Sequence, residues 1–298
     1  MSVTASIFAP GFFSDSVVHS ALAVGGIVAV VAGVVGVFMV MRGQSFTGEA
    51  LSDVGATGGS AAYYVGYGPL AGFVIASIAA SGAIELIGLR RPRGRDLATG
   101  IVLGAALGLA SLFLYFDANQ TSTTGASITI LFGSLFVISG STIPATLALG
   151  GSTLALLAIV YRPLLLASVD ADLAAARGVS ARLIGFVFLL ALALAVALSA
   201  MTIGAILGTA LLVGPAATAL RLTKRPGTAI ASAVLLGVAT VAIGVWLAYD
   251  SYYWPPAGRG WPVSFLIVAL TFTEYLVVHV ATGLKVRRPV LAAPSQDH

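Results

Sequence analysis

The sequence predicts an all-α protein, a polytopic transmembrane helical bundle, and three observations carry that prediction. Of its 298 residues, 58% are hydrophobic and only 9% charged, whereas a soluble domain carries roughly 25% charged residues to keep its surface wet. Mean hydropathy is +1.03, so most of the surface must face something other than water. The apolar stretches run for about 20 residues, the helix length that crosses a hydrocarbon core. They are also continuous, whereas barrel strands alternate over segments of about 10 residues.

Taken in order, the spans expected are 20–41, then 49–66, which is poor in large side chains, then 69–89, which leads into the basic turn Arg90-Arg91-Pro92-Arg93-Gly94-Arg95. The fourth is 97–116, followed by a polar loop over 117–125. The apolar region 128–160 is too long for one straight crossing and contains Ser139-Gly140-Ser141-Thr142 and Pro144, so it reads as a short lead-in helix and then the fifth span. The remaining spans are 183–200, 203–220, 228–249 and 263–284, with a Tyr/Trp/Pro-rich loop over 250–262 before the last. That makes nine spans, with eight or ten still open, in a single domain covering 1–298.

Lysine and arginine set the orientation, because they collect in cytoplasmic loops. With the N-terminus outside and nine alternating spans, 14 of the 15 basic residues fall inside, and Arg259 falls outside. The C-terminus is then cytosolic. The formal charge of +4 is therefore a topology signal and makes no case for nucleic-acid binding. Residues 1–19 lack a basic n-region, and the first apolar run is too long for a cleaved signal.

Several chemistries are excluded. There is no cysteine, hence no disulfide and no thiolate metal site, so any metal meets oxygen, imidazole or thioether. No G-x-x-x-x-G-K-[ST] phosphate loop and no H-E-x-x-H occurs. Paired catalytic carboxylates and a nucleophile elbow are missing as well, so the chain is not expected to be an enzyme or to hold a permanent cofactor.

The stretch between the fifth and sixth spans is expected to form a short, separately capped helix at about 168–178. Ser168 or Asp170 is a suitable N-cap, and Asp172 sits where the helix dipole favours an anion. Its alanines favour helix, and Gly178 can take the left-handed position after it. From the residues alone it is either a connector or a docking helix.

The block Asp170-x-Asp172-x-Ala174-x-x-x-Gly178 resembles the cytosolic motif Asp-x-Glu-x-Ala-x-x-x-Gly of the metal-importing ABC permeases, the zinc/manganese/iron family. The segment from Met201 to Ala219, ending Pro215-Ala216-Ala217-Thr218-Ala219, resembles that family's span. Leu131-Phe132-Gly133-Ser134 resembles its Leu-Phe-Gly-Ser segment, and the run from Arg42 to Asp53 its first cytosolic turn. The matches occur in family order over roughly residues 20–284. Where the family turn commonly reads Ala-Leu-Ser-His, this chain has Asp53, and Thr57 stands in place of a proline. A carboxylate is a harder ligand than imidazole, so the departure points either to manganese or iron over zinc or to a divergent substrate.

The resemblance implies the permease subunit of an ATP-driven importer of divalent manganese, zinc or iron, multi-pass in a prokaryotic cytoplasmic membrane. It implies four partners: an ABC ATPase subunit that grips Asp170, Asp172, Ala174 and Gly178, an extracytoplasmic metal-binding protein, a second permease copy or paralogue, and the membrane lipid. Two rivals fit the same sequence: a proton-coupled secondary transporter and an ABC permease for a metal chelate. A scaffold that transports nothing is a third.

Ionisable groups inside a membrane are expensive and default to functional candidates. Asp53 leads, with Glu49 one helical turn before it on the same face. The surrounding Ser52, Gly55, Thr57, Gly58, Gly59 and Ser60 invite close approach of another helix. Asp250 ends the eighth span, and the resemblance makes it a candidate for an outer gate. Met201 is a candidate thioether on the path or a packing filler. Glu274 lies in the ninth span, about 140° around the helix from His279, and is a candidate to hydrogen-bond within the bundle. Glu85 is expected to snorkel to the cytosolic boundary.

Overall fold

The computed structural model describes residues 11–88, 94–120, 130–133, 135–136, 140–254, 258 and 260–286. The Arg90–Arg93 turn, most of the lead-in region before 140, Ser134, Arg259, Arg287 and Arg288 lie outside them. Among the described residues the chain is helical, without strands. We label the helices α1 Ser16–Met41, α2 Ser45–Tyr64, α3 Pro69–Gly88, α4 Gly94–Gln120, α5 Ile143–Val169, α6 Ala171–Ala176, α7 Ala181–Ile203, α8 Ala205–Leu222, α9 Pro226–Ser251 and α10 Val263–Val286.

Seven of these helices are long and apolar enough to cross a membrane: α1, α3, α5 with its 3-10 lead-in, α7, α8, α9 and α10. The other two long ones are more polar. α4 has an apolar stretch only over Thr99–Phe113, and it runs on to Gln120, so part of the expected loop is helical. α2 is diluted by Gly, Ser and Thr, and two of its hydroxyls, on Ser52 and Thr57, find backbone acceptors within the protein. Ser52 donates to Ala205 O at 2.7 Å and Thr57 to Ala106 O at 2.9 Å, while Ser77 of α3 donates to Leu51 O at 3.2 Å. Inside a bilayer each such bond replaces one that water cannot supply.

Small residues let α2 and α3 touch backbone to backbone. A Cβ on Gly58 would collide with Gly72 O, and one on Gly55 would fall 2.8 Å from Ser77 Oγ. Without a hydrophobic drive between helices in lipid, this close packing supplies the attraction. α2, α3 and α4 form one group, and α1, α8, α9 and α10 another. α7 reaches both groups and also carries α5. Its inward residues, Phe188 to Ile203, are nearly all buried.

The joint between α7 and α8 is a single residue. Gly204 has φ +101, which only glycine takes freely, and so reverses the chain without a polar loop. The Leu131–Gly133 segment seals this joint: a Cβ on Gly133 would fall 2.5 Å from Gly204 N. Ser264 at the start of α10 donates its hydroxyl to Phe132 O, so α10 holds the same segment from the other side.

Two expectations change here. Glu85, near the end of α3, is buried by helix packing rather than snorkelling outward. The turn expected around 201–202 is at Gly204, since α7 continues through Met201 and Thr202 to Ile203.

Candidate functional site

On α2, Glu49 and Asp53 are both half-buried and one helical turn apart, so their carboxylates share a face. α8 supplies what lies against them. The Thr209 hydroxyl donates to Glu49 Oε2 at 2.6 Å, and the Ser52 bond to Ala205 O fixes the first residue of α8 beside the same turn. Asp53 makes no side-chain hydrogen bond among the described residues. Two like charges a turn apart repel, and a cation between them would relieve that repulsion. Among the described residues, no three His, Asp or Glu side chains converge on one point.

The other candidates sit elsewhere. Met201 is partly buried in the last turn of α7, next to the Gly204 joint. Asp250 is near the end of α9, a helix that packs on α1, α8 and α10 and not on the acid pair's α2. Glu274 is on α10, where its Oε1 accepts from Thr240 of α9 at 2.6 Å. Its Oε2 is buried with no partner. The five candidates therefore divide: Glu49 and Asp53 come together, and Asp250 and Glu274 belong to the α9–α10 side. Thr209 and Thr240 carry no motif of their own, and sequence reasoning did not find them. The only available signal was that a carboxylate in lipid needs a donor.

At the basic end of the bundle, Arg42 donates to Ser168 Oγ at 3.4 Å and lies 5.4 Å over the Phe188 ring. This contact gathers the ends of α1 and α5 and the start of α7. The short helix α6 hangs beneath them. Asp170 is its N-cap, accepting from Leu173 N at 2.9 Å, while Ser168 remains in α5 and donates to Leu164 O. The exit is a paired-bond C-cap. Gly178 N donates to Ala175 O and Val179 N to Ala174 O, both at 3.0 Å, with Gly178 at φ +76. Ala174 is wholly buried against the bundle, whereas Val169, Asp172 and Leu173 face outward.

The model of the ABC 3 transport family matches residues 14–278. The chain belongs to that family. It is 30% identical over 248 residues to the manganese transport system membrane protein MntC of Halalkalibacterium halodurans, covering 82% of this chain and 84% of that one. It is 26% identical over 292 residues to the chelated iron transport system membrane protein YfeC of Yersinia pestis, covering 96% and 97%. Among solved structures, PsaBC from Streptococcus pneumoniae in complex with Fab superposes with a TM-score of 0.76 at 26% identity, over 90% of this chain and 92% of that one. The chain is accordingly a multi-pass membrane permease of the metal-importing ABC type, a transport subunit and not an enzyme.

Proposed function

We propose that this permease imports manganese, with ATP hydrolysed by a separate subunit, and that Glu49 and Asp53 form the acid pair the ion meets on its way through. The observation that carries the reading is the half-buried carboxylate pair on one face of α2, braced by Thr209. Hard oxygen donors suit manganese better than zinc, and MntC is named for manganese transport. An open pair binds weakly and releases readily, which transport requires. The remaining ligands come from water or from the second permease copy across the path.

In this reading α1–α5 and α7–α10 are nine spans, with the N-terminus outside and the Arg42 end of the bundle in the cytosol of a prokaryotic inner membrane. α6 is the segment the ATPase grips, offering Leu173 and Asp172 while Ala174 seats it. An extracytoplasmic protein delivers the ion at the opposite end. The test is uptake by proteoliposomes containing the permease and its ATPase. Manganese accumulation should require ATP and be lost in Asp53→Asn. Accumulation that proceeds without ATP would sink the proposal.

A second reading rests on Glu274, whose Oε2 is buried without a partner. A carboxyl in that setting can carry a proton, as a proton-coupled transporter requires. Uptake abolished by an uncoupler in the absence of any ATPase would favour it.

A further inference from the structure

A cavity of about 430 Å³ opens where α1 begins and α9 ends, beside the residues that lead into α10, and it is lined by Asp15, Tyr249, Tyr252, Tyr253 and Trp261 among others. These are the ends of three helices long enough to span, so the cavity lies at a membrane–water boundary. Three of its aromatic residues are not committed to the core. Tyr252, Tyr253 and Trp261 are 55%, 52% and 50% exposed, with Tyr252 and Tyr253 edge to face at 5.6 Å. Ring faces of this kind attract a cation, an organic ammonium among them.

Asp15 supplies the opposite charge. Its Oδ1 caps α1 by accepting from Val17 N at 2.9 Å, and its Oδ2 makes no hydrogen bond among the described residues. Among the described residues, no lysine or arginine lines the cavity. A single carboxylate with three or four ring faces is a poor site for a hard divalent ion, which wants six or more oxygens. It is a good site for an ammonium head. Beneath it, Val17 and Phe265 present apolar side chains outward, where acyl chains would run.

We infer that this cavity binds the primary ammonium head of a phospholipid, with phosphatidylethanolamine as the matching chemistry, held by Asp15 and the Tyr252, Tyr253 and Trp261 rings. The site is separate from the Glu49–Asp53 pair and does not depend on the metal reading.

The full chain is purified from mixed vesicles of phosphatidylethanolamine and phosphatidylglycerol, and retained lipid is read by native mass spectrometry. Wild type should keep phosphatidylethanolamine over phosphatidylglycerol by about fivefold, the scale of a cation–ring contact of about 1 kcal/mol at an exposed site. Asp15→Asn leaves a good N-cap but removes the charge, and with Trp261→Leu it should abolish the preference, while a control at Phe265→Leu keeps it. Equal retention of the two lipids by wild type would overturn the inference. So would a preference that survives both changes in a protein that still unfolds at the wild-type temperature.

Discussion

The Thr209 hydroxyl donates to Glu49 Oε2 at 2.6 Å across 160 residues of sequence, and this one bond ties the acid-bearing face of α2 to α8. Hydrogen bonds to a charged group contribute about 1.5–3 kcal/mol. Thr209→Val should keep the fold but leave Glu49 loosely held, so the metal concentration for half-maximal uptake should rise by about tenfold or more, each 1.4 kcal/mol being tenfold. Uptake kinetics in proteoliposomes with the ATPase would measure it; an unchanged half-saturation would remove Thr209 from the site.

Asp53 stands where the family commonly places histidine. Asp53→His should therefore move preference towards zinc, since imidazole is the softer ligand, while Asp53→Asn should lower manganese uptake by at least about tenfold. Competition of zinc against manganese in the same vesicles reads out the first effect. If zinc competes no better against the histidine variant, this position does not set selectivity.

Gly178 distinguishes strain from contact. Nothing lies within 4 Å of a Cβ placed there, yet its φ is +76, so bulk is accommodated and conformation is not. Gly178→Asn, which tolerates the left-handed region, should retain ATPase co-purification, and Gly178→Val should lose most of it. Equal association by both variants would mean that the shape of α6 is irrelevant to docking.

Two glycines on α1 predict opposite outcomes. A Cβ on Gly36 would collide with Leu212 O, whereas Gly26 has open space around it. Gly36→Ala should destabilise by about 1–3 kcal/mol through overpacking. Gly26→Ala should be neutral or stabilise by up to about 1 kcal/mol, the helix-propensity gain. Thermal unfolding in detergent compares them directly.

Glu274 separates the two transport readings. A glutamine there can still accept from Thr240 but cannot release a proton. ATP-driven uptake should proceed at the wild-type level in Glu274→Gln, and a collapse would move proton coupling to the front.

The helices were legible because lipid imposes a simple rule of length and polarity. The 20-residue apolar runs became α1, α3 and α7–α10, and the capping chemistry of Asp170 and Gly178 could be read locally, from four or five adjacent residues. Tertiary partners were not legible. Nothing near Thr209 or Thr240 in the sequence marks either as a carboxylate's donor, since a lone threonine in an apolar run commonly bonds back to its own helix, as Thr218 does to Gly214 O. The Gly204 turn was displaced by a few residues for a related reason. A turn sealed by protein needs no polar residues, so the usual hydrophilic punctuation is missing. Glu85 was misplaced because proximity to arginines in sequence was taken as proximity to water.

That sealed turn constrains how the molecule can move. With one residue between them, α7 and α8 have no slack, and the Gly133 backbone is wedged against their joint. Neither helix can slide along its axis without dragging the other and the Leu131–Gly133 segment. The α7–α8 pair is therefore built to swing as one lever, pivoting where three backbones meet, with α6 at the far end of the same arm.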